Sequence, residues 1–209
     1  MMRKIAFGLL WVGFMGYAVI LAPPNAPDTL ELIRHLFLGQ WEGIDPLIIA
    51  LFNLMGIWPL IYGCLLFADG REQKIPAWPF VVGSFAVGTF ALLPYLALRE
   101  SNPGFQGEKD WFLQVQDSRW FGLFITLAAL ALLSFGLFTG NWSEFISQWQ
   151  TSRFINAMSL DFCLLSLLFP TLLRDDMTRR GINNPVVFWS VSLVPLLGPL
   201  IYLCWRPSL

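Results

Sequence analysis

The sequence predicts an all-α protein, a polytopic transmembrane helix bundle of six spans arranged as a 3+3 inverted repeat. Three observations predict it. The 209 residues are 56% hydrophobic and only 13% charged, with a mean hydropathy of +0.61, against about 45–50% apolar and about 25% charged in soluble domains. Six apolar stretches approach the roughly 20 residues that cross a bilayer. The second half of the chain also echoes the first. A disordered tail, a basic nucleic-acid binder and a soluble enzyme are excluded by this composition.

The stretches are residues 5–22, 46–68, 77–98, 120–139, 154–173 and 185–205, and none contains Lys, Arg, Glu or His. Arg3-Lys4 ahead of the first stretch invite a signal-peptide reading. Its length of about 18 residues exceeds the usual 7–15 of a signal h-region, and Pro23-Pro24 follow at once, so a retained helix is expected. Between the first two spans, residues 28–38 alternate Leu30, Ile33, Leu36 and Phe37 with Asp28, Glu31 and Arg34, the pattern of an interfacial helix. Residues 101–118 form a second polar connection with a Pro103-Gly104 turn. Trp41, Trp78, Trp111, Trp120, Trp142, Trp149 and Trp205 fall at span edges, as in a headgroup belt. Pro59, Pro94, Pro170, Pro195 and Pro199 interrupt spans, and 195–199 reads as a break in the sixth.

The repeat is carried by matched motifs. Phe7-Gly8-Leu9 meets Phe121-Gly122-Leu123, Gln40-Trp41 meets Gln148-Trp149, Asp69 meets Asp176, and Tyr95 and Arg99 meet Tyr202 and Arg206, at offsets falling from 114 through 108 to 107. One transmembrane domain over 1–209 is expected, with repeat 1 about 1–100 and repeat 2 about 111–209. Three spans per unit would insert the second unit upside down, about an axis in the membrane plane. Counted over six spans, Lys and Arg divide six against seven and give no orientation. Arg3-Lys4 ahead of an acidic first loop favour a cytoplasmic or stromal N-terminus.

Candidate chemistry lies inside the spans. Asp161 is the one acidic residue well within a span, so it should face protein. Asn156 and Ser159 lie near it, Arg153 is about two turns away, and Asn53 is its mate at offset 108. Both Asp161 and Asn53 start about 11 Å inside their spans at 1.5 Å per residue. They form either a polar pair at a ligand or proton site, or interhelical hydrogen bonds that order the bundle. The charged turns holding Asp69 and Arg71, and Asp175, Asp176, Arg179 and Arg180, read as solvated helix caps. A prenyltransferase D-D-x-x-D box is broken by Arg179, and the likeness to the D-x-x-x-R-R turn of major-facilitator transporters lacks its glycine. With a single histidine, His35, and three scattered cysteines, no haem or zinc motif and no metal site are expected.

The tract 151–209, with Ser152-Arg153-Phe154, Ser159-Leu160-Asp161-Phe162, Asp175-Asp176-Met177-Thr178-Arg179-Arg180-Gly181 and Tyr202-Leu203-Cys204-Trp205-Arg206-Pro207, resembles polytopic membrane proteins of cyanobacteria and plastids that have no assigned reaction. The tract 58–99 is similar in character. The resemblance implies a photosynthetic organism and a thylakoid, plasma or plastid membrane, and carries over no site residue. Three function classes follow. The first is a non-enzymatic membrane factor binding pigment, isoprenoid lipid or partner subunits. The second is a small-molecule or ion transporter on the inverted repeat, and the third a membrane enzyme acting on a carotenoid or lipid with Asp161 as acid. The expected partners are the lipid bilayer and other membrane proteins, with no nucleic acid, and the expected bound group is pigment or lipid.

Overall fold

A computed structural model describes residues 2–105 and 108–209, Glu72 by its backbone alone. The described residues are all-α. Four helices are long and apolar enough to cross a membrane: Met2–Leu21, Pro46–Asp69, Arg119–Thr139 and Arg153–Arg179. The first is α1 (Met2–Gly16) continued by a π-helical turn, Tyr17–Leu21. The second is α3 (Pro46–Asp69), started by Pro46 at its first turn and by Asp45, whose side chain accepts the Leu47 N–H at 2.8 Å. The third is α7 (Arg119–Thr139), capped by Ser118. The fourth is α9 (Arg153–Leu168) running into α10 (Pro170–Arg179), a junction explained by the missing N–H of Pro170.

The other two predicted spans are not single helices but pairs of short ones. Residues 77–98 form α4 (Trp78–Val87) and α5 (Thr89–Leu98), separated by Gly88 at φ +52°. The rings of Phe80 and Tyr95 pack at a tilt with centroids 5.5 Å apart, and a Cβ on Gly83 would lie 3.2 Å from that of Ala91. Those pairings converge on Gly88, so α4 and α5 are the antiparallel arms of a hairpin. Residues 185–205 behave alike: α11 (Pro185–Leu193) and α12 (Leu197–Trp205) flank Leu196 at φ +59°. A Cβ on Gly198 would meet the Val191 carbonyl at 2.3 Å. Arms of nine or ten residues reach about 15 Å, half of a roughly 30 Å hydrocarbon core. The backbone exposed by each break is tolerable at such depth only against protein or a cavity.

Direction along the bundle follows from contacts at its two ends. Arg3 donates to the Arg99 carbonyl, and Arg153 Nε donates to the Pro23 carbonyl at 2.9 Å, so α1 runs from the Arg99 end to the Arg153 end. The helices α3 and α9–α10 run the opposite way. Asp45 also accepts the Asn141 N–H at 2.8 Å, which ties the end of α7 to the start of α3. The remaining helices are short: α2 (Thr29–Leu38) and α8 (Trp142–Thr151) at the Arg153 end, and α6 (Trp111–Gln116) at the other.

Asp69 and Asp176 were expected on opposite faces and instead meet at one end, both bonded to Arg179, at 3.1 and 3.4 Å. The reason is that each hairpin folds back on itself: α4–α5 and α11–α12 both begin and end at the end that holds Asp69 and Asp176.

Helix α3 is apolar all round and sits at the centre, as a helix with no polar stripe must. Trp58 and Tyr62 pack on Phe162 and Phe169 of the fourth helix, and the Tyr62 hydroxyl donates to the Leu165 carbonyl at 2.7 Å. Lipid tails are as apolar as leucine, so such packing and hydrogen bonds, rather than apolar burial, hold helices together in a bilayer. The periphery is correspondingly apolar: Leu9, Val12, Phe124, Leu127, Phe138 and Leu167 are exposed. Trp78, Trp111, Trp120 and Trp205 are exposed towards one end, Trp41 and Trp142 towards the other.

Candidate functional site

The sequence singled out two polar sets, and they lie at different levels of the bundle. Asp161, Asn53 and Arg153 line one groove of about 660 Å³. Its walls are Phe37 of α2, Phe52 and Met55 of α3, Phe85 and Phe90 from the first hairpin, and Phe154 and Met158 of α9. Arg153, Ala157 and Asp161 recur every four residues, so one face of α9 carries the cation at the start of the helix and the carboxylate about 12 Å further in.

Asp161 meets the tip of the hairpin. Its Oδ1 accepts the Thr89 N–H at 3.0 Å and also the Thr89 hydroxyl. Gly88 lies so close that a Cβ there would fall 1.7 Å from Asp161 Oδ2. The half-length hairpin is thereby pinned by a carboxylate that receives the first N–H of α5 and the hydroxyl of the same residue. The bonds also explain how a carboxylate is held at this depth at all.

Asn53 Nδ2 donates to the Ile49 carbonyl of its own helix at 2.8 Å. Arg153 spends Nε on Pro23 and forms no salt bridge among the described residues. Asn156 does not join the groove. It accepts from the Tyr17 hydroxyl at 2.8 Å and donates to the Trp149 carbonyl at 3.0 Å, an interhelical bracket. Ser159 donates to Ile155 within its helix at 2.7 Å. His35 stays outside the groove, 3.9 Å from Glu31.

The charged turns overturn the solvated-cap expectation. Asp69, Asp176, Arg99 and Arg206 are buried. Asp69 Oδ2 accepts from the Tyr95 hydroxyl and from Arg99 Nε, both at 2.8 Å. Asp176 Oδ2 accepts from the Tyr202 hydroxyl at 2.6 Å, Arg180 Nε at 2.8 Å and Arg206 at 3.2 Å. Asp175 accepts from Arg99, from Ser101 and from the Asn102 N–H. Asp117 joins through Arg180 at 2.6 Å and Lys109 at 2.8 Å. Arg71 is the exception, on the rim at 2.8 Å from Asp110. Four carboxylates and their cations thus form one layer that ties the bases of both hairpins to the ends of α3 and α10.

Electrostatics of the layer follow from that pairing. Burial pushes the Asp117 carboxyl up, but the Arg180 charge, Lys109 and the Leu209 N–H outweigh it and hold the group below its ordinary range. Burial would lower Arg99 and Arg180, yet their bonded aspartates keep both above the usual guanidinium value.

Sequence reasoning missed Gly88 and Thr89, whose signal was a Gly-Thr pair in the middle of an apolar run. It also missed the pairing of Asp69 with Arg99 and of Asp176 with Arg206. No protein-family model, no curated protein and no solved structure matches the chain.

Proposed function

We propose that the chain is a four-pass membrane protein built from two tandem units of the same orientation, and that it works as a non-enzymatic binding factor for a lipid-soluble ligand. The observation that carries the binding reading is the groove, a phenylalanine-walled cavity of about 660 Å³ with two polar groups at its floor. That volume lies within the roughly 300–1,000 Å³ of small-molecule sites, and an apolar lining with few placed polar groups is their usual make-up. The interfacial helix α2 forms one wall, which suits entry from the membrane surface.

Two observations support the tandem units. The Asp–Tyr–Arg arrangement of Asp69, Tyr95 and Arg99 recurs as Asp176, Tyr202 and Arg206, each residue 107 positions on. The breaks at Gly88 and Leu196, 108 positions apart, are both at positive φ and both at hairpin tips.

Orientation is supported by charge. Of the 13 Lys and Arg residues, only Arg34 and Arg153 lie at the groove end among the described residues, which leaves eleven at the ion-layer end. That asymmetry favours a cytoplasmic or stromal ion layer with both termini beside it. The resemblance of 151–209 supports a photosynthetic membrane as the setting.

A transport reading is favoured by one observation, the contact of an intramembrane carboxylate with the tip of a half-length hairpin. It predicts that Asp161→Asn accumulates normally and abolishes flux in proteoliposomes, whereas a binding factor shows no flux in either form. The binding reading is tested by purifying wild type and Ala157→Trp in mild detergent and extracting bound small molecules for mass spectrometry. A stoichiometric apolar molecule in the wild type, lost when the indole fills the groove, supports it. Extracts indistinguishable from bulk lipid overturn it.

A further inference from the structure

Hydrogen-bond accounting at the groove floor narrows the ligand, an argument that rests on the binding reading above. Asp161 lines the groove; its Oδ1 is used by both donors of Thr89, while Oδ2 accepts nothing among the described residues. The amide of Asn53 has no freedom to turn over. Its nitrogen donates to the Ile49 carbonyl, which can only accept, so Oδ1 is the atom left over. Asp161 receives both donors of Thr89 on Oδ1, the bonding that favours an ionised carboxylate, so both polar atoms left at the floor are acceptors. Arg153 springs from a backbone position about 12 Å back along α9 and commits its Nε to the Pro23 carbonyl. A polar atom surrounded by apolar walls is costly when unpaired and is satisfied only by a partner of the opposite kind.

We infer that the groove takes an amphiphile with an apolar body whose inner end carries a hydrogen-bond donor, a hydroxyl or a protonated amine, seated between Asp161 Oδ2 and Asn53 Oδ1. Arg153 stands where an acceptor or anion at the outer end of such a molecule would lie. The Thr89 latch is undisturbed by this arrangement, because the ligand uses the other carboxylate oxygen.

Four C16 compounds of matched length test the inference: hexadecylamine, hexadecanol, 2-hexadecanone and hexadecane. Each competes in detergent against a diazirine-tagged alkane cross-linked to the groove, with peptides mapped by mass spectrometry. In the wild type, amine and alcohol should displace the tag at roughly tenfold lower concentration than ketone or hydrocarbon, the advantage of a hydrogen bond to a charged group. An amine far ahead of the alcohol identifies an ammonium ligand, and equal displacement identifies a hydroxyl. Asp161→Asn supplies the reversal. The backbone N–H of Thr89 can only donate to the position of Oδ1, so the new amide nitrogen occupies the place of Oδ2 and presents a donor. The ketone should then overtake the amine. Asn53→Ala, which leaves the Asp161–Thr89 bonds intact, should reduce the donor advantage a few fold. Equal displacement by all four compounds overturns the donor inference while leaving the groove reading in place. A tag that fails to cross-link to α9 or the hairpin tip overturns both.

Discussion

Replacing Gly88 with alanine puts the hairpin tip under direct test. At φ +52° and ψ −126°, Gly88 occupies backbone space that residues with a Cβ avoid, which costs roughly 1–3 kcal/mol on its own. The added methyl would stand 1.7 Å from Asp161 Oδ2 and 2.7 Å from Cγ, so Asp161 must withdraw. Withdrawal breaks its bonds to Thr89, and hydrogen bonds to a charged group contribute about 1.5–3 kcal/mol each. Gly88→Ala should therefore destabilise by roughly 4–9 kcal/mol, a large part of a typical 5–15 kcal/mol total. The two contributions separate in a double-mutant cycle. In an Asp161→Ala background the collision is gone, only backbone strain remains, and Gly88→Ala should cost about 1–3 kcal/mol. Unfolding by SDS titration from mild detergent, followed by far-ultraviolet circular dichroism, measures all four proteins. A single variant within about 0.5 kcal/mol of wild type, or a cycle with no coupling, would refute the placement of the tip against Asp161.

Further outcomes follow from the ion layer. Asp176→Ala removes a buried carboxylate bonded to both Arg180 and Arg206, and should cost about 3–5 kcal/mol in the same titration; Lys74→Ala, which removes an exposed pair at 3.8 Å, should leave the transition unmoved. Asp117 gives a pH dependence of definite sign. Its carboxyl is held below the ordinary value of about 3.9, so the stabilisation is fully present above that pH and is lost as pH falls through the lower folded value. Thermal stability should decline with acidification below about pH 4, and Asp117→Asn should flatten that decline while lowering stability at neutral pH.

Much of this organisation was legible in the sequence. Asp45, Asp110, Ser118, Asn141 and Asn184 each cap the helix that follows, because short polar side chains before an apolar run satisfy its first N–H groups. Asp161 was found by the cost of leaving it in lipid and Asn53 as its mate at offset 108, and they share the groove. Asn156 and Ser159, chosen for nearness in sequence, instead serve a bracket and a backbone carbonyl, because nearness along a helix does not place side chains on one face.

The hairpins were not legible from hydropathy. A run of 22 apolar residues is one span or two half-length arms by the same measure, and only Gly88 and Pro195 mark the turning points. Inversion was then inferred from a count of crossings that included both hairpins. The ion layer was hidden for a related reason. Charges at helix ends read as solvated when each is viewed with its chain neighbours, and Asp69 finds Arg99 only once α5 folds back. The charge count changes with the fold: the even six-and-seven division becomes eleven against two once four crossings replace six.

Side-specific labelling tests the four-crossing arrangement most directly. In a cysteine-free background, Lys74→Cys and Arg174→Cys are exposed positions on the ion-layer end, and Glu144→Cys is exposed on the groove end. An impermeant maleimide applied to sealed vesicles of known orientation should reach Lys74→Cys and Arg174→Cys from the same side and Glu144→Cys only from the other. Labelling of Lys74→Cys and Arg174→Cys from opposite sides would contradict four crossings and restore the inverted six-span bundle.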